Sequence, residues 1–163
     1  MDMATETQRE FIIDLINSSH TAFLITVCQQ SKPHGRPMAT AKAESDLNHL
    51  YFATQKSSGK VEDIQNNPNV FAGYSNATGS KWLSLTGQAS ISNDKALIHN
   101  LWSPIWKNWF EGPDDTNLVL IDLMPEHAEY WDSGSKLWSA VKLAYTAVTG
   151  KKTSDGENAA VKL

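Results

Sequence analysis

The sequence predicts a mainly β domain with flanking helices, folded as a small antiparallel barrel. Three observations carry this. Residues 82–91 (WLSLTGQASI) alternate, with Leu83, Leu85, Ala89 and Ile91 facing one way and Ser84, Thr86, Gln88 and Ser90 the other. That is the period of a strand with one buried face. Further short runs of β-branched, aromatic and apolar residues lie between turn residues, for about seven strands in all. Helical spacing occurs only at the ends and in the crossovers, without the strict βαβ alternation of a doubly wound sheet.

The elements follow in order. Thr7-x-x-Glu10 has the form of a capping box, and Phe11, Ile12, Leu15 and Ile16 follow at helical spacing, so a helix is expected over residues 5–18. Ser18-Ser19-His20 ends it. Residues 21–28 (TAFLITVC) read as a strand, and Pro33 and Gly35 as a turn. Residues 36–43 form a second strand, which Pro37 confines to an edge, a strand start or a bulge. Residues 50–54 form a third, and a helix over 59–66 stops before Pro68. Strands are expected over 70–75 and 82–91, then a helix capped by Asn93 or Asp94 and running to about Leu101. Residues 102–112 are aromatic and irregular. Residues 118–124 and 128–131 form two more strands around a turn at Pro125. Leu137, Val141 and Val148 stripe a last helix. The domain is expected to span residues 1–150, followed by a polar, disordered tail over 151–163.

Composition narrows the function classes. The 163 residues, 40% hydrophobic and 20% charged, suit one domain with one core. No apolar run approaches the roughly 18–20 residues that span a bilayer. The polar, acidic segment Met1 to Arg9 lacks the order of a signal peptide, so the cytoplasm is the expected location. A net charge of −4 argues against a nucleic-acid surface but leaves room for a local basic pocket. Cys28 is the only cysteine, which excludes an internal disulfide and a multi-cysteine zinc site. The five histidines are scattered, so no metal site is expected.

The most informative local stretch is Thr54-Gln55-Lys56-Ser57-Ser58-Gly59-Lys60, which joins a strand to a helix start. Free N–H groups and the helix dipole favour an anion there. Ser57 and Ser58 add hydroxyl donors, and Lys60 a point charge, with Lys56 a second if it folds inward. The set suits a phosphate monoester; a solvated turn with an ordinary serine cap fits the same residues. Arg36 joins the set if the neighbouring strand brings its guanidinium to the same anion.

Five stretches stand in an order that resembles the pyridoxamine-phosphate-oxidase-like split β-barrels. They are Arg36-Pro37-Met38-Ala39-Thr40, Leu50 to Thr54, Ser57-Ser58-Gly59-Lys60, Asn67-Pro68-Asn69-Val70 and Leu83 to Ala89. Leu101-Trp102-Ser103-Pro104, Trp109 to Asp115 and Ala128 to Asp132 are similar to later signatures of the general stress protein 26 branch of that superfamily. The resemblance covers roughly residues 5–150. It implies a homodimer with flavin mononucleotide (FMN) in grooves between the subunits; FAD or another flavin-like cofactor is the lesser alternative. Carried over by residue, it implies that Arg36, Ser57, Ser58 and Lys60 hold the phosphate. Pro37, Met38, Ala39 and Thr40 would line the ring, largely through backbone, and Phe52, Ala53 and Thr54 would border the ring or ribityl chain. Trp82 matches a position where the oxidases often place a glutamine near the flavin.

The chain also departs from the oxidases. Their Tyr-Phe and Arg-Pro substrate grip corresponds to Asn100 to Ile105, which has neither Tyr nor Arg, and their strand-end lysine corresponds to Ala41. Pyridoxamine-phosphate oxidation is therefore not expected. Two functions remain: a flavin-binding stress protein with weak or unidentified redox activity, and a flavin-dependent oxidoreductase acting on an unidentified small molecule with NAD(P)H. A third, a barrel that has lost its flavin, conflicts with Arg36, Thr54, Ser58 and Lys60. Trp102, Trp106 and Trp109 recur at helical spacing beside Phe110, either as a packing or dimer face or as a cover for the flavin or substrate pocket. No catalytic residue is assigned.

Overall fold

The computed structural model describes residues 2–76, 80–132 and 157–163. The helix expected over 137–148 and residues 151–156 of the expected tail lie outside them. The described chain runs α1 (Glu6–Ser19), β1 (Thr21–Val27), β2 (Pro33–Ala39), β3 (Lys42–Ala43), β4 (Leu50–Gln55), α2 (Gly59–Asn66), β5 (Asn69–Ser75), β6 (Lys81–Ser92), α3 (Lys95–Leu101), a 3-10 helix (Pro104–Asn108), β7 (Leu118–Asp132) and β8 (Glu157–Lys162). The strands form one antiparallel sheet in the order β2-β1-β5-β6-β7-β4-β3, with β8 beside β7 off this path. The sheet curls into a mainly β split barrel with flanking helices. Its inner face, α1 and α2 enclose a core that includes Ile12, Ile16, Leu24, Phe52, Leu85 and Leu123.

Local chemistry accounts for most elements. Helix α1 is capped at Thr5, two residues before the expected Thr7. Thr5 Oγ1 accepts from Gln8 N–H at 3.3 Å, and Gln8 Oε1 accepts from Thr5 N–H at 2.9 Å, a reciprocal capping box. The helix ends at His20 in the left-handed conformation, φ 57°. In β6 the expected alternation holds: Leu83, Leu85 and Ala89 are buried, and Thr86, Gln88 and Ser90 exposed. Asp94 caps α3 by accepting from Leu97 N–H at 3.1 Å.

Four expectations are corrected. Pro33 and Gly35 lie inside β2 rather than in a turn; β2 is an edge strand, where proline is tolerated, and the Phe23 ring of β1 occupies the space a Cβ at Gly35 would need. The strand expected over 36–43 breaks after Ala39, because Thr40 N–H bonds His20 C=O while Ala41 N–H bonds Tyr51 C=O, handing the chain from β1 to β4. Pro125 sits inside the single long strand β7, not at a turn. The ladder with β6 shifts register between Thr86 and Gly87, and only a glycine leaves room there for the Met124 carbonyl and Pro125. Finally, Glu157–Lys162 of the expected tail is strand β8, paired with β7 from His127 to Asp132.

Candidate functional site

Strand β2, at one end of the strand order, and β4, next to the other end, approach each other across the split of the barrel. Between them lies a cleft of about 360 Å³. Pro37, Met38 and Ala39 of β2 form one side, and Ala53, Thr54 and Gln55 of β4 the floor. Ile105, Trp106, Trp109 and Phe110 form the opposite wall, and Lys60 of α2 closes one end. As an edge strand, β2 has backbone groups on one side that no neighbouring strand pairs. Six of the residues singled out from sequence therefore meet in one place.

The loop before α2 is tied down at its start and open at its end. Lys56 N–H donates to Asn117 C=O at 2.7 Å, and Ser57 N–H to Asn117 Oδ1 at 3.2 Å. Asp115 shapes the turn that presents Asn117, with its carboxylate accepting from Glu111 N–H at 3.0 Å and Asn117 N–H at 2.8 Å. These two bonds hold the Asp115 carboxyl below its usual range. Ser57 and Lys56 are exposed, and Ser58 is half-buried. At the helix start Ser58 makes no side-chain cap bond, and the N–H groups of Gly59 and Lys60 have no intrahelical acceptor. Ser58 Oγ instead pairs with Thr54 Oγ1 at 3.3 Å, and Lys60 Nζ donates to Thr54 Oγ1 at 3.0 Å. Burial, and then the nearby Arg36 guanidinium, lower the Lys60 pKa. The Arg36 guanidinium thus stands near Lys60 without lining the cleft itself, and two neighbouring cations are a costly arrangement that an anion relieves.

Arg36 is brought to that end by β2, but it does not stand free. Its Nη1 donates to Thr26 Oγ1 at 2.7 Å, and its Nη2 lies 3.6 Å from Asp63 Oδ2. Thr26, on β1, and Asp63, on α2, are buried, and Thr26 donates to Asp63 Oδ2 at 2.6 Å. His34 Nδ1 stands 3.6 Å from the same oxygen.

Three of the singled-out side chains point elsewhere. Phe52 is fully buried in the inner core, because β4 alternates and turns Ala53, not Phe52, toward the cleft. Thr40 Oγ1 bonds Tyr74 Oη at 2.9 Å, and burial raises the Tyr74 pKa strongly. Trp82 lies in a second, larger concavity of about 750 Å³ on the outer face of the sheet, with Phe23, Phe71 and Trp131. That concavity shares Pro37 with the cleft, and its one charged lining residue is Glu129. Among the described residues it offers area but no cation.

The aromatic segment both packs in a core cluster and lines the cleft. Trp106 and Phe110 are buried in a second cluster with Tyr51, Ile98, Leu118 and Leu120, and they also line the cleft. Trp102 meets Trp106 edge to face, with ring centroids 5.7 Å apart. Ile105 and Trp109, each 61% exposed, form the lip. Sequence reasoning missed Thr26, Asp63 and Asn117. Thr26 lies in an apolar strand, and Asp63 and Asn117 lie among other polar residues of a helix and a turn; only the pairing of distant segments gives each a role.

The cleft therefore combines flat apolar walls with a cationic, hydroxyl-lined end. Comparison with known proteins agrees with the fold. The family model for "Pyridoxamine 5'-phosphate oxidase like" proteins matches residues 7–155. General stress protein 26 of Bacillus subtilis (strain 168) is 34% identical over 131 residues, covering 78% of this chain and 91% of the relative. The crystal structure of General Stress Protein 26 from Bacillus anthracis str. Sterne superposes with TM-score 0.68 at 34% identity, covering 75% of this chain and 92% of that one. The general stress FMN/FAD binding protein of Xanthomonas citri superposes with TM-score 0.72 at 25% identity, covering 81% and 93%. The chain belongs to the pyridoxamine 5'-phosphate oxidase-like family, in its general stress protein 26 branch.

Proposed function

We propose that this chain binds FMN in the cleft, as a flavin-holding stress protein with redox activity that the flavin carries. The observation that carries the reading is a cleft walled by Met38, Ala39, Ala53 and the aromatic segment, with Lys60 and Thr54 at one end, Ser58 bonded to Thr54, and Arg36 near enough to lower the Lys60 pKa. The phosphate sits at the cationic end, where the first-turn N–H groups of α2 also point. The isoalloxazine ring lies along the β2 edge, against Trp106, Trp109 and Phe110. Hydride and electron exchange belong to the flavin when bound, while the protein supplies orientation and electrostatics. The relative described as FMN/FAD binding supports a flavin; the phosphate-sized cationic end favours FMN.

The active form is proposed to be a homodimer with flavin at the interface. Phe23, Trp82 and Trp131, at 52%, 53% and 40% exposed, form an apolar face that a second copy would cover. In such a dimer the shared Pro37 places the partner near the ring, and Trp82 reaches a flavin only from the other subunit. The segment Asn100 to Ile105 carries no arginine, so a phosphorylated substrate lacks a grip there. The test is an FMN titration of the purified chain, followed by absorption and fluorescence, with anaerobic NADH or NADPH added to the complex. Saturable binding supports the holder, and rapid bleaching adds an oxidoreductase. No binding overturns both.

A further inference from the structure

We infer that Asp63 is a positioning residue, which sets the direction of Arg36 through the Thr26 hydroxyl. The inference rests on the FMN reading above. Its geometry is a three-member relay from a buried carboxylate to a half-buried guanidinium. Thr26 Oγ1 donates to Asp63 Oδ2 at 2.6 Å and accepts from Arg36 Nη1 at 2.7 Å.

A hydroxyl has one proton and two lone pairs. Asp63, acceptor-only as a carboxylate, takes that proton, so a lone pair of Thr26 faces Arg36. The guanidinium is a rigid fork, and fixing Nη1 on Thr26 with Nη2 3.6 Å from Asp63 fixes its plane. Its remaining donors are left for an anion at the Lys60 end. The anchor is itself rigid. Thr26 is fully buried on β1, Asp63 is 8% exposed on α2, and α2 packs on β1 beside Val61 and Ile64. The helix that presents Lys60 to the cleft therefore also presents the carboxylate that aims Arg36. One element sets the spacing of both cations.

Two effects of removing the charge oppose each other. Losing the anchor frees the guanidinium, and losing the carboxylate raises the positive potential felt by the phosphate. The Arg36 Nη2 to Asp63 separation of 3.6 Å is longer than a hydrogen bond, whereas both relay bonds are short. Orientation is therefore the larger effect, and selectivity should fall.

The test compares FMN with riboflavin, which lacks the phosphate, by fluorescence titration of the full-length chain. In Asp63→Asn the amide can donate to Thr26 and turn its proton toward Arg36. The FMN-over-riboflavin preference should fall about tenfold, with riboflavin affinity little changed. Thr26→Val breaks the relay while keeping shape and the carboxylate, and should give a similar loss even if Asp63→Asn folds poorly. Placed on Arg36→Met, either substitution should cost no further preference, since the loss of orientation that each causes runs through Arg36. Additive losses, equal losses for both flavins, or a preference that rises in Asp63→Asn would overturn the relay. If the unaltered chain prefers FMN and only Arg36→Met abolishes the preference, the relay fails while the FMN reading stands. If the unaltered chain binds neither flavin, both fall.

Discussion

Replacing Lys60 by alanine is expected to weaken FMN sharply and riboflavin little. Lys60 reaches the cleft from the first turn of α2, donates to Thr54 Oγ1 at 3.0 Å, and retains further donors for a ligand. Burial and Arg36 lower its pKa, and a phosphate beside it would oppose that shift. A Lys–phosphate pair at about 4 Å with an effective dielectric of about 20 gains about 4 kcal/mol before desolvation, an upper bound. A charge-assisted hydrogen bond nets about 1.5–3 kcal/mol. That converts to about a 10- to 100-fold loss of FMN affinity. Thr54, which is buried, keeps Ser58 as partner, so the variant should fold. Riboflavin should change by less than about threefold, and the FMN loss should shrink as salt is raised. The assay is fluorescence titration of both flavins at two ionic strengths. Equal losses for the two would refute the assignment of the phosphate to this end.

Three other predictions follow from the same geometry. Phe52→Ala should destabilise the fold by about 3–5 kcal/mol in urea unfolding, because it empties core space; a variant with unchanged stability and selective loss of flavin would place Phe52 back at the ring. Trp109→Ala should weaken FMN and riboflavin alike, leaving their ratio unchanged, because the lip touches the ring end and not the phosphate; a shift in the ratio would contradict the orientation. His49 Nδ1–H donates to Asp122 Oδ1 at 2.8 Å, and that hydrogen bond raises its pKa above the ordinary 6.5 despite burial. A raised folded value means stability that is present in full below 6.5 and lost as pH rises through the folded value. The contribution is small, about 0.2–1 kcal/mol for a pair this exposed. Thermal melts from about pH 6 to pH 8 should show it in the native chain and not in His49→Gln; identical profiles would remove His49 from the account.

Much of the fold was legible because it is local. The alternation of β6, the stop of α2 before Pro68 and the Asp94 cap each depend on neighbours within a few residues. The expectations that failed depend on partners far along the chain. Pro125 reads as a turn until Gly87 is set opposite it, and Gly35 reads as a turn until the Phe23 ring is laid over it. The strand β8 has no amphipathic signature beyond a mixed polar run, and exists by pairing to β7. The site divides the same way. The Ser58 to Lys60 helix start and the apolar β2 edge could be read directly. That Phe52 turns inward, and that Trp82 lies on another face, needed the register of β4 and the place of β6 in the strand order. Asp63 and Thr26 gave no sign at all, since a single aspartate in a helix and a single threonine in an apolar strand are ordinary.

The measurement closest to the central claim is an FMN titration of the purified full-length chain, read by flavin fluorescence and absorption. Saturation at about one FMN per chain, with FMN bound more tightly than riboflavin, is the predicted result. A chain that leaves the flavin spectrum and fluorescence unchanged at high FMN concentration would contradict it.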